Sequence, residues 1–370
     1  MKILIESLGI QHPGGPRTVV MNLFRELFQQ DHQTQYTLLL TQPEARLEFP
    51  NVRQVIYPVR NRFLARILLQ AVLPFMAPRY DLIHFTKNLG AFGLRAPVVV
   101  TVHDMTTILV PQIFPRSDVL YWRTIEKLTL RGANRIVTVS HDAANDIARI
   151  YQIPANKIEV IYHGNSRETT LVADDEIQRV RQAYRIEEPY VICVGRIDPK
   201  KNLTAAVRGF QRFKQQRGFP GKLVLVGEMY RKKPDLALIP TIQSLGLEKE
   251  VILTGKVPNE DIAPLYAGSF CSLFASLHEG FGLVALEALS CGAPLVTAQA
   301  GAVGEVVGDA AIVIPDSSPE SIAAGLGLLY DRPEMRAELV RKGAERARSF
   351  SWHKAAAQTL ALYRECARRS

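Results

Sequence analysis

Short apolar runs that alternate with helix-forming stretches restrict what this chain can fold into more than any other feature. In the first half "KILIE", "YTLLL", "DLIHF", "PVVVTVH" and "RIVTVS" are separated by helical stretches such as residues 17–30 and 121–131. Strands spaced by helices pair in parallel and form a doubly wound sheet with both faces covered. From Tyr190 the pattern restarts: "YVICVG", "KLVLVG", "VILTG", "CSLFAS", "PLVTA" and "AIVIP", with helices expected at 205–216 and Leu283–Ser290. Two successive Rossmann-like α/β halves follow, and 370 residues suit two domains better than one core.

The boundaries come from composition. Residues 1–165 form the first domain. Residues 166–189 are poorly hydrophobic, charged and end at Pro189, which reads as an interdomain linker; residues 190–345 form the second domain. The alanine-rich amphipathic tail, 346–370, is expected to dock as a helix, crossing back to the N-terminal domain. Glu6 interrupts the opening apolar run, and the sequence suggests neither a signal peptide nor a membrane span. Cys193, Cys271, Cys291 and Cys366 have no C-x-x-C spacing, so reduced, partly buried thiols in a cytoplasmic protein are expected.

In open parallel sheets ligands lie beyond the carboxyl ends of the strands. Residues 12–15, His103 and Asp104, Ser140, 195–201, Gly227 and Glu228, and 278–282 occupy such positions. In "VGRIDPKKN", Arg196 offers a guanidinium fork and Lys201 a point charge, which together can grip a diphosphate; Arg196, Lys200 and Lys201 also read as solvated loop charges. In "SLHEGFGLVALEALSCGAPLV" the glycines put a loop before a helix starting near Leu283, and its first amides suit phosphate oxygens. Glu279, in the loop, can accept hydrogen bonds from sugar hydroxyls, and Glu287, inside the helix, from a ribose. Read alone, two glutamates eight apart are a solvated face and a terminal charge, and a His103–Asp104 pair after a strand is a polar core feature.

"VGRIDPKKN", followed by "LVLVG", "VILTGKVPNEDIAPLYAGSFCSLFASLHEGFGLVALEALSCGAPLVTA" and "GEVVGDAAIVIP", resembles the retaining glycosyltransferases of family 4. In the first half "GGP", "VVVTVHDMTTILVPQIFP", "ANRIVTVSHDAANDI" and "KIEVIYHGN" resemble the same family. The resemblance implies a GT-B fold, two Rossmann-like domains facing each other across a donor-binding cleft, and a nucleotide-sugar donor held mainly by the second domain. It implies that Arg196 and Lys201, near Gly195, bind the diphosphate and stabilise it as leaving group. Glu279 would contact the donor sugar, and Gly280, Phe281, Gly282 and Leu283 would line the sugar and phosphate pocket. Glu287 would hold the ribose, with Gly227 and Val257 near the base. Gly14 and Gly15 would close over the diphosphate from the first domain, and His103 would lie near the donor sugar. Catalysis would fall to Glu279, His103, Arg196 and Lys201, with no cofactor beyond the co-substrate. No D-x-D triplet or His/Cys/Asp cluster of metal-ligand spacing occurs, so no metal is expected.

The acceptor is less legible. "RNRFLARILLQAVLPFMAPRY" places Arg60, Arg62, Arg66 and Arg79 around an apolar stripe. It can rest on an anionic bilayer, where lipid-linked glycan acceptors reside, or pack on the sheet as an ordinary helix. A net charge of +9 admits anionic partners, but no zinc-finger spacing, RNP-like motif or helix-turn-helix signature supports nucleic acid. The expectation is transfer of a hexose from UDP-glucose or GDP-mannose to a polysaccharide or lipid-linked glycan at the inner face of the cell membrane. The alternatives are a nucleotide-sugar-binding subunit without turnover and an epimerase on the same fold.

Overall fold

The computed structural model describes residues 1–8, 14–57, 59, 62–167, 172–187, 189–231 and 233–368, with main chain alone at 62–66. The chain divides into two compact units, Met1–Ser166 with Phe350–Ser370, and Arg167–Ser349.

The first unit is built on strands β1 (Lys2–Glu6), β2 (Gln35–Leu40), β3 (Val52–Ile56), β4 (Leu82–Phe85), β5 (Val98–Val102), β6 (Arg135–Thr138) and β7 (Ile158–Val160). They form a parallel sheet in the order β3-β2-β1-β4-β5-β6-β7. The strand order reverses beside β1, so the chain winds helices onto both faces. Central strands β4 and β5 are buried throughout, as their near-continuous apolar sequences require. Helix Gly15–Gln30 buries Val19, Val20, Phe24, Leu27 and Phe28.

The second unit has β8 (Tyr190–Val194), β9 (Lys222–Val226), β10 (Val251–Gly255), β11 (Cys271–Phe274), β12 (Leu295–Ala298) and β13 (Ile312–Ile314). These form a parallel sheet in the order β10-β9-β8-β11-β12-β13. Its core joins Val191, Leu223 and Leu273 on the strands to Phe210 and Phe213 on helix Leu203–Arg217 and Leu326 on helix Pro319–Asp331.

The charged stretch 166–189 is more structured than a linker. Residues Asp174–Tyr184 form a helix with three acidic residues in its first turn, complementing the positive end of the helix dipole. Val180 is buried, and Arg179 and Tyr184 both bond Asp261, on helix Asn259–Ala267, at 2.9 and 2.7 Å. Low hydrophobicity concealed a helix whose docking is polar.

Helix Trp352–Arg368 belongs to the first unit. Its Tyr363 hydroxyl lies 2.5 Å from His84 Nδ1, while His84 Nε2 lies 2.7 Å from the Thr101 hydroxyl. Burial pushes His84 down to about 3, so it packs as a neutral ring. The four cysteines are free and buried. Among the described residues, no helix is long and apolar enough to cross a membrane.

Candidate active site

The site in the second unit grows from the carboxyl ends of its central strands. After β8 the chain passes through Gly195 at φ 141° and Arg196 to the short turn Pro199–Lys201, whose start is capped by Asp198 through the Lys200 amide. After β9 comes Gly227, also at φ 141°. A Cβ there would stand 1.9 Å from the Gly195 carbonyl oxygen, so only glycine lets the two strand exits come together.

After β11 the loop is tied to the lysine turn: the Leu277 amide donates to the Lys200 carbonyl at 2.9 Å. Glu279 is held on its other side, its amide donating to the Ala300 carbonyl and its carbonyl accepting from the Ala302 amide. Lys201 Nζ donates to Glu279 Oε1 at 2.7 Å, Lys200 Nζ lies 3.2 Å from Oε2, and Lys201 sits 4.9 Å from the Phe274 ring centroid. These side chains are only 13 to 20% exposed, so their attraction is screened less than that of a surface pair.

Gly282, at φ 97°, then starts helix Leu283–Ser290. The first-turn amides of a helix have no partner within it and face the same edge of the sheet as the strand exits. Phe281 is buried just before that helix. Glu287 is partly buried one turn further on; burial raises its carboxyl, opposed by the charges of Arg167 and Lys201.

The fold therefore brings together Gly195, Lys201, Gly227, Glu279, Gly280, Phe281, Gly282, Leu283 and Glu287 along one sheet edge. Arg196 and Lys201 line one small cavity, but they do so differently: Arg196 is exposed and stacked 4.4 Å over the Tyr230 ring, whereas Lys201 is ion-paired. Val257 is buried at the exit of β10 beside exposed Lys256.

Sequence reasoning missed two contributors. Lys200 read as a loop charge, and the signal that separates it is the doublet itself, since two adjacent lysines in one tight turn can clasp both oxygens of one carboxylate. Ser276 lines the same cavity, and its hydroxyl is buried without a hydrogen-bond partner among the described residues.

In the first unit, Gly14 precedes helix Gly15–Gln30 at φ 132°, and its carbonyl accepts from the Arg17 and Thr18 amides. His12 lies outside the described residues, as does Arg60. His103 follows β5, partly buried, with Nε2 2.9 Å from the Thr86 carbonyl. That contact makes Nε2 the protonated nitrogen. Burial lowers the His103 pKa, opposed by its hydrogen bond to Thr86. Ser140, another strand-exit position, is spent as an N-cap accepting from the Ala143 amide at 3.0 Å.

Glycosyltransferase Family 4 matches residues 13–168, and Glycosyl transferases group 1 matches residues 174–346. The D-inositol 3-phosphate glycosyltransferase of Acidothermus cellulolyticus is 30% identical, over 77% of this chain and 67% of that protein. The chain belongs to the group 1 glycosyltransferases. O-antigen chain mannosyltransferase B of Escherichia coli is another relative of this glycosyltransferase, 29% identical over 72% of this chain and 70% of its own. A crystal structure of Anabaena HepE in complex with UDP-glucose superposes with a TM-score of 0.77 at 22% identity, covering 98% of this chain and 99% of that one. The likeness identifies the fold as GT-B, two Rossmann-like α/β domains.

Proposed function

We propose that this glycosyltransferase moves a hexose, with retention and without a metal, from UDP-glucose or GDP-mannose to a polysaccharide or lipid-linked glycan of the cell surface. The observation that carries the reading is the clasp of Lys200 and Lys201 on Glu279, set beside the N-terminus of helix Leu283–Ser290. A lysine pair, Arg196 and helix amides at one edge match a diphosphate, and a carboxylate among them matches hydroxyl groups rather than another anion. Two relatives are named as mannosyltransferases, one of them for the O-antigen chain, and a structural neighbour as a glycosyltransferase involved in lipopolysaccharide biosynthesis, which supports a mannosyl or related hexosyl transfer into such glycans.

Breaking the bond from the anomeric carbon to phosphate leaves its electron pair on a diphosphate oxygen. Lys201, Arg196 and the helix amides stabilise that charge, while Glu279 and Phe281 hold the sugar and Glu287 the ribose. The acceptor oxygen attacks on the face the diphosphate leaves, and its proton passes to the leaving phosphate oxygen. Gly14, Gly15 and His103 of the first unit are assigned to the diphosphate and the donor sugar, and Gly227 and Val257 to the base.

Peripheral attachment to the inner face of the membrane is part of the proposal. On helix Arg62–Met76 the side chains of Leu69 and Leu73 are buried, while Ile67, Leu68, Val72 and Phe75 are exposed, Phe75 to 82%. The side chains of Arg62, Phe63, Leu64 and Arg66 lie outside the described residues, and Arg79 is exposed at the helix end. An apolar face exposed beside arginine suits an anionic bilayer.

The test is a thermal-shift panel of UDP-, GDP- and ADP-sugars in EDTA, followed by donor consumption and anomeric analysis by NMR. A selective shift, absent in Lys201→Ala, and a product of unchanged anomeric configuration are expected. Inverted product, a strict divalent-metal requirement, or binding without hydrolysis or transfer across an acceptor panel would each remove the corresponding part.

A further inference from the structure

Linked to His103 through Asn88 is a buried carboxylate that the donor site described above does not use. Glu126 is 2% exposed and ends the π-helical turn Trp122–Glu126, a rare local geometry often found at functional sites. Its Oε1 accepts from Asn88 Nδ2 at 2.7 Å and its Oε2 from the Tyr151 hydroxyl at 2.8 Å.

Asn88 is committed on every side. Its Nδ2 also donates to the Asp104 carbonyl at 3.1 Å, and its Oδ1 accepts from the His103 amide at 3.3 Å. Its backbone sits at φ 37°, in the left-handed region, and its amide donates to the Thr101 carbonyl at 2.7 Å. One carboxamide thus ties Glu126 to the main chain on both sides of the His103–Asp104 peptide.

We propose that Glu126 is a positioning residue: through Asn88 it fixes the main chain at His103 and Asp104, and its ionisation sets how tightly. This rests on the assignment of His103 to the donor sugar.

The hydrogen-bond directions explain how ionisation acts. Asn88 Nδ2 can only donate, so a proton on Glu126 Oε1 is excluded. A proton on Oε2 is accommodated if the Tyr151 hydroxyl turns to the Trp122 carbonyl, 3.4 Å away, and accepts from the carboxyl. Protonation then replaces a charge-assisted Asn88 bond by a neutral one, and the turn at His103 loosens. Burial pushes Glu126 up to about 7, with the Asp104 charge adding to the rise and the two hydrogen bonds opposing it. Around this network Arg123, on the same helical turn, acts on Tyr151, Lys87 beside Asn88 and Asp104 act on His103, and His103 couples to His84 and His163.

The test uses the whole chain, with Glu126→Gln, Asn88→Ala and His103→Gln. Donor hydrolysis of UDP-glucose and GDP-mannose is followed from pH 5.5 to 8.5, and the ¹³C-labelled histidine ring signals are titrated by NMR, His103 being assigned from His103→Gln. In the wild type, kcat and the His103 signal should both show an inflection near neutrality. Glu126→Gln, which keeps the shape but cannot ionise, should lose both inflections and about 5-fold in kcat at pH 8, with donor KM within about 2-fold. Asn88→Ala should lose at least about 10-fold in kcat at every pH, and Glu126→Gln should add little to it. A His103 signal that titrates alike in wild type and Glu126→Gln overturns the coupling, as does a Glu126→Gln variant that only melts earlier with kcat and its pH profile unchanged. Wild-type turnover in His103→Gln overturns the catalytic assignment of His103 alone, because the NMR titration does not depend on turnover.

Discussion

The two units keep charge out of water by opposite means. In the second, Lys200 and Lys201 pair with Glu279 at a partly open sheet edge. In the first, His84, His163 and Glu126 are buried among neutral hydrogen-bonding and aromatic partners, and burial pushes each towards its uncharged form. The same sheet architecture therefore carries an ion-paired cluster in one unit and buried, uncharged titratable groups in the other.

The largest effect should come from breaking the ionic side. Lys201→Ala should lower donor turnover by about 100-fold or more, the scale for removing one stabiliser of developing charge, read by donor-consumption kinetics. Wild-type turnover would show that the clasp is structural. Gly227→Ala tests the scaffold of the same edge. With the Gly195 carbonyl 1.9 Å from the new methyl group, it should cost more than about 2 kcal/mol of unfolding free energy in a urea titration.

The protonic side predicts acid lability with a definite sign. His84 titrates lower in the folded chain than in the unfolded one. The unfolded state therefore binds the extra proton, and stability present above about pH 6.5 is lost as pH falls towards 3, by up to about 1.4 kcal/mol per unit. His163, lowered by burial and by His103, acts in the same direction. Glu126 has the reverse sign: its raised carboxyl binds a proton in the folded state first, so between about 4.3 and 7 it favours the fold less as pH rises. Chemical denaturation at several pH values should give a shallower acid limb for His84→Gln than for the wild type. An unchanged limb would move acid lability to other groups.

The smallest effects should be alike in both units. Ser140 and Ser318 cap helices His141–Tyr151 and Pro319–Asp331 by accepting from the Ala143 and Ser321 amides. Alanine at either should cost about 1 kcal/mol and leave kcat unchanged. A kcat effect confined to Ser140→Ala would mark the first unit as the more tightly coupled to chemistry.

The same asymmetry decided what could be read from the sequence. All six strands of the second sheet and the start of helix Leu283–Ser290 are legible, because continuous apolar runs, three of them ending in glycine, announce buried parallel strands and their exits. The strands missed, Val52–Ile56 and Ile158–Val160, are the two edges of the first sheet; exposed residues such as Arg53 and Glu159 dilute their pattern. Glycines and charges at strand exits located Gly195, Lys201, Glu279 and Gly282, since those positions follow from chain direction. Asn88, Glu126 and Tyr151 left no such trace. They are far apart in sequence, and only β-sheet neighbours and a π-helical turn bring them to one point.

The return of the chain has a further consequence, for the order in which a newly made molecule matures. His84 waits for Tyr363, 279 positions later. At about 5–20 residues per second a ribosome needs roughly 15–55 s to cover that distance. The second unit, one continuous segment, can complete its core within that interval. The first unit, though started earlier, carries an uncovered helix face and an imidazole lacking its Nδ1 partner until the last helix emerges, so this is the unit a chaperone would meet.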